Sequence, residues 1–328
     1  MDHRYLHLQQ WLSQTVQLKD YQLEPMAGDA SFRRYFRVHQ TGKSHVVMDA
    51  PPLRENCTSF IAISNALRAL NLRTPEIIQG DLSAGFLLLT DFGDRLLLKE
   101  LNSMNAENLY SCALDALAIL QNCRDVTGWT VPLFTADFMR EELKLFKEWF
   151  LETHLGLILS PQIQQMLTTC FDFLAESAVA QPQVFMHRDY HSANLMILPN
   201  HDIGILDFQD AFIGPVTYDL VSLLRDCYID WPEDLVTKLV LYYRDRLENK
   251  NNSSDEFLRW FDLMGIQRHL KALLTFSRKF RRDGNATYLQ HIPRTLNYIL
   301  MVSERYEECW MLNNFLKEIT AEINLCVE

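Results

Sequence analysis

One polar motif constrains this chain more than any other feature of its sequence. Residues 187–194 read H-R-D-Y-H-S-A-N, and a second motif, I-L-D-F, follows at 205–208. At average composition, an Asp followed five positions later by an Asn occurs roughly once by chance in a chain of this length, and a preceding His-Arg lowers that chance several hundredfold. The apolar run that ends in Asp-Phe lowers it further. We therefore interpret the two motifs as parts of one functional site.

The residue types in these motifs suit phosphoryl transfer. This reaction needs a carboxylate that orients a hydroxyl and takes its proton, and Asp189 has that chemistry. Mg²⁺ prefers carboxylate and amide oxygens, which Asp207 and Asn194 offer. The sequence thus predicts Asp189 as the catalytic base and Asn194 and Asp207 as the metal ligands. We expect His187 and Arg188 to support the loop, with His187 as a buried hydrogen-bonding strut.

The first ninety residues predict a small sheet with two helices. Apolar residues recur at helical spacing from Tyr5 to Leu18, and the period then changes. Two runs rich in aromatic and β-branched residues, 31–38 and 44–50, flank a T-G-K turn and predict a β-hairpin. The remaining expected elements of this lobe are a helix at 55–70 and strands at 77–78 and 85–90.

The rest of the chain is mostly helical in pattern. Two short strands, at 195–198 and 203–206, interrupt the helices, and D-F-G-D at 91–94 is a reasonable hinge. The sequence therefore predicts an α+β fold with an N-lobe at 1–92 and a larger C-lobe at 93–328. The expected helices of the C-lobe are 106–122, 136–153, 161–178, 217–229, 234–248, 255–280 and 292–326.

Composition excludes several function classes. The chain has 328 residues and a formal net charge of -11, so its surface repels long polyanions and nucleic acid is not an expected partner. Its 48% hydrophobic residues suit two lobes that fold without an obligate protein partner. Seven cysteines without a C-x-x-C pair, no signal-like start and no long apolar run predict a cytoplasmic protein without a membrane span.

A family resemblance rests on the same motifs. Together with G-P-V-T-Y-D-L at 214–220, they resemble the aminoglycoside phosphotransferase and choline kinase superfamily, whose fold is that of protein kinases. Protein kinases have Gly where Gln209 stands and Lys where His191 stands, and both differences look like small-molecule kinases. The resemblance implies a two-lobed protein-kinase-like fold that uses ATP and Mg²⁺.

A closer resemblance covers both lobes. The segments at 28–38, 46–52, 85–94 and 207–228 look like those of the cytosolic anomeric sugar kinases of peptidoglycan recycling. Those enzymes phosphorylate N-acetylmuramate and N-acetylglucosamine at the 1-hydroxyl. The resemblance thus implies a small-molecule sugar and ATP as the binding partners, and a sugar 1-phosphate and ADP as the products.

The resemblance also implies a nucleotide site. Residues 28–36 are expected to cover the phosphates with backbone N–H groups, and residues 88–92 to meet the adenine. Met48 stands where a kinase has a phosphate-binding Lys or Arg, and Arg33 or Arg34 is the candidate substitute, although either could be a solvated surface residue. The expected nucleotide-binding residues are Ser31, Phe32, Arg33, Arg34, Thr90 and Phe92.

Four residues after the metal motif have two interpretations each. Asp219 could cap the helix that it begins, whereas the resemblance implies that it braces the catalytic loop from beneath. Asp210, Arg225 and Asp226 could bind sugar hydroxyls or a lactyl carboxylate, or could form surface ion pairs.

Two alternative functions stay open at this point. The first is a kinase for another small molecule, such as an aminoglycoside, choline or an amino alcohol. The second is a catalytically inactive nucleotide-binding regulatory protein, which the Met48 departure suggests and the intact acidic motifs oppose.

Overall fold

The computed structural model describes residues 2–26, 32–247 and 252–325, with side chains up to residue 321. The chain divides into two compact units. We call them the sheet unit and the helical unit. The sheet unit comprises Met1–Leu96, Arg124–Thr130 and Met196–Asp210, and the helical unit comprises Leu97–Cys123, Val131–Leu195 and Ala211–Glu328. The lobe boundary expected at residues 92 and 93 stays a prediction.

The sheet unit is built on one antiparallel sheet of five strands, in the order β1-β2-β3-β5-β4. Two helices precede and interrupt it, and a short two-stranded ladder, β7-β8, follows much later in the chain. In chain order the elements are α1 (His3–Gln14), β1 (Gln22–Pro25), β2 (Arg34–Gln40), β3 (Lys43–Asp49), α2 (Cys57–Ala69), β4 (Ile77–Asp81), β5 (Phe86–Thr90), β7 (Leu195–Ile197) and β8 (Ile203–Ile205).

The predicted hairpin is confirmed as β2 and β3. The register pairs Arg34 with Asp49 at the open end and Gln40 with Lys43 at the turn. Gly42 has a φ of 76°, a left-handed conformation that glycine adopts without steric cost. Strand β1 was not expected, because four mostly exposed residues at a sheet edge give no clear alternation.

A buried carboxylate holds α1 to the sheet. The Asp49 side chain has no exposed surface, and its two oxygens accept from Arg4 Nε at 2.5 Å and from Arg34 Nε at 3.0 Å. Apolar residues of α1, among them Trp11, pack against Phe86 of β5. The buried charge is thus paired on both oxygens, as burial in a low-dielectric core requires.

The helical unit contains the remaining helices and one two-stranded ladder, in which β6 pairs antiparallel with β9. Its main core brings together residues of α5, α6, α9, α10 and α11. In chain order its elements are α3 (Leu97–Glu100), α4 (Ala106–Leu120), α5 (Ala136–Phe146), a π-helical continuation (Lys147–His154), α6 (Pro161–Val179), β6 (Gln183–Met186), β9 (Phe212–Pro215), α7 (Tyr218–Leu224), α8 (Glu233–Arg244), α9 (Ser254–Asp283), α10 (Ile292–Ser303) and α11 (Trp310–Leu325).

Two predicted helices are shorter than expected. The helix expected at 217–229 ends at Leu224, because Arg225 leaves helical geometry and turns its guanidinium to Asp262, 2.7 Å away. The helix expected at 292–326 is two helices, because Tyr306 interrupts it and donates its hydroxyl to Asp262 at 2.7 Å. Both breaks depend on long-range polar contacts that periodicity does not contain.

In the described part of the chain, none of the helices is long and apolar enough to cross a membrane.

Two glycines of the sheet unit give a matched stability test. Both have a φ near +75°, but a Cβ at Gly85 would lie 1.9 Å from the Ala50 carbonyl oxygen, whereas a Cβ at Gly42 would meet nothing within 4 Å. We expect Gly42→Ala to lower the free energy of unfolding by about 1 kcal/mol, and Gly85→Ala to lower it by more than about 3 kcal/mol because the backbone must also shift. Urea denaturation measures both, and equal losses would contradict the packing described here.

Candidate active site

One buried carboxylate braces the predicted catalytic loop. Asp219, in the first turn of α7, accepts the backbone N–H of His187 at 2.7 Å and that of Arg188 at 2.9 Å. The side chain is fully buried, so these two donors replace the water that it has lost. This geometry agrees with the bracing interpretation of Asp219.

The brace holds a strained backbone. Arg188 has a φ of 78°, which is unfavourable for a residue with a Cβ and persists only where the surroundings enforce it. Its guanidinium is fixed as well, by Glu142 at 2.6 Å and by the face of Phe212 at 4.9 Å. These contacts fix the Arg188 side chain beside the loop, and its predicted role as a support of the loop stays a prediction.

The loop also orders the predicted catalytic base, Asp189, and the predicted metal ligand Asn194. The buried His187 ring accepts the Asp189 backbone N–H at Nδ1 over 3.2 Å. The Asn194 amide nitrogen donates to the Asp189 carbonyl oxygen at 3.0 Å. His187 therefore acts as a strut, and Asn194 is oriented by the same residue that carries the expected base.

A second buried carboxylate, that of Asp226, braces the same loop at Ser192. Asp226 is buried, and its Oδ2 accepts both the backbone N–H of Ser192, at 3.0 Å, and its hydroxyl, at 2.5 Å. Its Oδ1 accepts the Tyr228 N–H at 2.9 Å. These contacts make Asp226 a positioning residue, a role that the sequence did not reveal.

Arg225 lies away from the loop residues to which its neighbour binds. Its side chain is only 2% exposed and pairs with Asp262 at 2.7 Å and with Glu233 at 2.6 Å. Both acids come from helices that pack on α7. The geometry therefore gives Arg225 a packing role and gives its predicted contact with substrate no support.

Charges around Asp189 keep it ionised. Burial raises the pKa of the Asp189 carboxyl, but the positive charges of Lys271 and Arg268, with His191 nearby, outweigh burial and hold it well below its usual range. Asp189 is thus a weak proton acceptor and a strong hydrogen-bond acceptor. Neither Lys271 nor Arg268 was singled out from the sequence, because both lie in a long helix far from the motifs.

The metal motif belongs to the sheet unit. Asp207 follows β8 with a φ of 60°, and its Oδ1 accepts from the Gln209 amide at 2.8 Å. The exposed Asp210 lies at the far side of the same amide, at 3.4 Å. The left-handed backbone turns the chain directly after the apolar strand, and sparsely populated backbone conformations of this kind concentrate at functional positions.

The two candidate arginines of the phosphate-covering loop have different partners. Arg33 is 9% exposed and lies 3.2 Å from Glu55, whereas Arg34 pairs with Asp49 and Asp2. Glu55 also accepts the Phe32 backbone N–H at 3.1 Å. Ser31, the other residue expected in this loop, lies outside the described residues.

The charges of Arg33 and of the metal motif both affect the pKa of Tyr35. Burial raises the pKa of Tyr35 to about 12, with the Arg33 charge opposing the rise and the Asp207 carboxylate adding to it. The three side chains thus act on one another within the sheet unit. Met48, which pairs with Tyr35 on the neighbouring strand, is fully buried and offers no charge.

Thr90 and Phe92, two of the predicted hinge residues, contact neighbouring segments of the sheet unit. The Thr90 hydroxyl accepts the Glu76 N–H at 2.9 Å, which closes the end of β5. Phe92 packs so closely on Gly204 of β8 that a Cβ there would approach the ring to 2.7 Å. The hinge is therefore tied to the strand that leads to Asp207.

Among the described residues, no group of three or more His, Cys, Asp or Glu side chains could hold a metal ion. Mg²⁺ at kinase sites does not need such a group, since it is bound by one or two protein oxygens together with phosphate and water. The Asn194 and Asp207 oxygens are of the right type for that kind of site.

Comparison with known families decides the class of this protein. The model of the phosphotransferase enzyme family matches residues 22–257. The chain belongs to this family. Relatives of this phosphotransferase include the N-acetylmuramate/N-acetylglucosamine kinase of Pseudomonas aeruginosa, 41% identical over 91% of this chain and 88% of the relative. The Neisseria meningitidis protein of the same name is 36% identical over 98% of each chain.

Solved structures show the fold of this phosphotransferase. The ethanolamine kinase of Plasmodium vivax matches with a TM-score of 0.66 and 13% identity over 89% of this chain and 88% of its own. The choline kinase LicA of Streptococcus pneumoniae matches with a TM-score of 0.63 and 14% identity over 91% and 99%. The predicted family and the predicted protein-kinase-like α+β fold are confirmed, while the roles of individual site residues stay predictions.

Removal of the brace tests the loop geometry. In Asp219→Asn the amide can accept only one of the two N–H groups, and its own NH₂ faces the other. We expect kcat to fall by about 10- to 100-fold, because an unpaired buried donor costs about 1–3 kcal/mol and the loop must shift to relieve it. Steady-state kinetics measure kcat, and an unchanged value would show that the loop does not depend on Asp219.

The same carboxyl predicts a pH dependence. Burial raises the pKa of Asp219 to about 7, against the effect of the two N–H donors. Below that pH a proton replaces the charge that accepts them, whereas Asp189 stays ionised. We therefore expect kcat to fall as the pH drops through about 7, and the fall to be absent from the residual activity of Asp219→Asn. If kcat falls in the same way in the wild type and in Asp219→Asn, the group that titrates is not Asp219.

Proposed function

We propose that this phosphotransferase transfers the γ-phosphoryl group of ATP to the anomeric hydroxyl of N-acetylmuramate or N-acetylglucosamine. The products are the sugar 1-phosphate and ADP, and the expected setting is peptidoglycan recycling in the cytoplasm. The activity for which the relatives are named, and their 41% and 36% identity over most of the chain, carry this proposal. The ordered loop at 187–194 supports it, because a relative that had lost catalysis would have no need of two buried braces there.

Asp189 has a positioning task in this reaction. Phosphoryl transfer passes through a loose transition state in which the attacking hydroxyl keeps its proton until late, so a strongly basic residue gains little. The depressed pKa of Asp189 suits this chemistry, because the carboxylate is always ready to accept the sugar hydroxyl and to aim it. The proton passes to Asp189 as the new P–O bond completes.

Asn194 and Asp207 are the proposed ligands of Mg²⁺. When bound, the ion neutralises the charge on the phosphate oxygens of ATP. Asn194 is prepared for this task by its hydrogen bond to the Asp189 carbonyl, and Asp207 by its contact with Gln209. The two ligands thus have supports within their own units.

Arg33 is the proposed substitute for the cation that Met48 lacks. Kinases pair this cation with a glutamate near the helix of the small lobe. Arg33 lies 3.2 Å from Glu55, which precedes Asn56, the N-cap of α2. The charges of Arg33 and Asp207 both affect the pKa of Tyr35. Arg34 does not fit the role, because it is taken up by Asp49 and Asp2.

The substrate test measures ADP release with magnesium and ATP over a panel of N-acetylmuramate, N-acetylglucosamine, glucose, choline and kanamycin. We expect turnover with the two N-acetylated sugars, a product labile to mild acid, and a loss of about 10²–10⁴-fold in Asp189→Asn. Turnover with choline or kanamycin alone would agree with phosphotransfer but would refute the proposed sugar substrate. Silence across the panel, with ATP still bound, would favour the regulatory alternative.

Two matched variants, Arg33→Gln and Arg34→Gln, test the proposed role of Arg33. Arg33→Gln is expected to raise the KM for ATP by about tenfold or more, because it removes a charge-assisted contact to phosphate. Arg34→Gln is expected to lower the melting temperature and to leave the KM for ATP within about twofold, since its partners Asp49 and Asp2 are structural. A larger effect on ATP from Arg34→Gln would reverse the assignment.

A further inference from the structure

Two cations on α9 face the catalytic loop without an acidic partner of their own. Arg268 Nε donates to the Ser222 hydroxyl at 2.9 Å, and Lys271 Nζ donates to the Tyr218 hydroxyl at 3.0 Å. Among the described residues, no carboxylate lies within 4.0 Å of either cationic group. By contrast, Arg259 of the same helix pairs with Glu308 at 2.7 Å. The two cations are therefore held by hydroxyls and by the Tyr218 ring, whose centroid lies 5.9 Å from Arg268 Cζ and 5.6 Å from Lys271 Nζ.

Their position is fixed relative to the reacting residue. Ser222 and Tyr218 both belong to α7, the helix whose Asp219 binds the backbone of the loop before Asp189. One side of α9 is thus fastened to the element that places the catalytic carboxylate. The charges of Lys271 and Arg268 act on Asp189, as its lowered pKa records.

The other acids of this region have partners already. Asp219 accepts two backbone N–H groups, Asp226 accepts from Ser192 and Tyr228, and Glu142 pairs with Arg188.

Arg268 and Lys271 act on Asp189, but within the residues that the structure describes neither forms an ion pair with a carboxylate within 4.0 Å. A guanidinium or ammonium group that donates to a neutral hydroxyl has further N–H donors for an anion. The two groups can therefore bind a negatively charged substituent of a substrate.

We propose that Arg268 and Lys271 bind the carboxylate of N-acetylmuramate. This inference rests on the proposed function. N-acetylmuramate carries a lactyl ether with a carboxylate at O3, whereas N-acetylglucosamine has a neutral hydroxyl there. With the 1-hydroxyl at Asp189, the O3 substituent lies across the same small ring, within reach of cations that neighbour Asp189. An arginine and a lysine together suit a carboxylate, the arginine by its planar fork and the lysine by its mobile charge.

The test compares the two sugars on matched lysine variants. Loss of the Lys271 charge near Asp189 affects both sugars, whereas loss of the charge-assisted hydrogen bond affects only N-acetylmuramate. In Lys271→Gln we therefore expect kcat/KM for N-acetylmuramate to fall about 10- to 100-fold further than kcat/KM for N-acetylglucosamine. Lys271→Arg keeps the charge and should retain most of the preference. Lys279→Gln is the control, because Lys279 lies on the same helix and also donates to a tyrosine hydroxyl, that of Tyr288 at 3.0 Å.

A modified substrate gives a complementary experiment. The amide of the lactyl carboxylate removes the charge from the sugar, so wild type should bind it weakly and Lys271→Gln should lose little further. This non-additivity is the signature of a direct contact. Arg268→Gln is expected to show the same pattern, and Lys271→Gln keeps the test decisive if the more buried Arg268 variant does not fold.

Two outcomes would overturn the inference. An equal fall in kcat/KM for both sugars in Lys271→Gln would show that Lys271 acts on Asp189 or on the transferred phosphoryl group and not on the lactyl carboxylate. Turnover of N-acetylglucosamine by the wild type without any turnover of N-acetylmuramate would remove the proposed ligand. Failure of both sugars with the wild type would refute the proposed function itself, and so is distinguishable from failure of this inference.

Discussion

The whole catalytic segment depends on the contact between the Asp219 carboxylate and two consecutive backbone N–H groups. The N–H groups of His187 and Arg188 donate to the two Asp219 oxygens, and Arg188, with a φ of 78°, then turns the chain toward Asp189. A carboxylate accepts the two donors on separate oxygens, whereas an amide has only one oxygen. The strain at Arg188 and the burial of Asp219 are thus costs of the same arrangement, and together they determine the direction in which Asp189 points.

The cations around Asp189 determine its protonation state. A general base is most effective with a pKa near the working pH, yet the cations of α9 lower the pKa of this residue. That choice suits a reaction in which the hydroxyl needs aiming more than deprotonation. It also leaves positive charge beside the reacting group, which a carboxylate-bearing substrate can use. One set of cations can therefore serve both the state of Asp189 and the selection of substrate.

The sequence predicted the motifs, the hairpin and most helices because each has a local signal. The Asp189, Asn194 and Asp207 spacing, the T-G-K turn and the apolar periodicity can all be read within a short window. What it could not predict was which partner each of two neighbouring buried polar residues binds. Arg225 and Asp226 seemed equivalent, but helix α7 ends at this point and sends Arg225 to Asp262 and Asp226 to Ser192. Arg268 and Lys271 were missed since their function arises from the packing of α9 on α7.

The pair Arg33 and Arg34 shows how one buried residue decides such an ambiguity. Arg34 begins β2 and lies directly opposite Asp49, which is buried and needs positive partners. Because successive side chains of an extended chain point to opposite faces, the capture of Arg34 by Asp49 turns Arg33 the other way, where Glu55 receives it.

On the proposed assignment, Arg33 supplies the positive charge that Met48 does not. Asp49 pairs with Arg34 in a structural role, and Glu55 holds Arg33 in the position proposed for phosphate binding. The electrostatics proposed for the nucleotide site therefore follow from the packing of the small sheet.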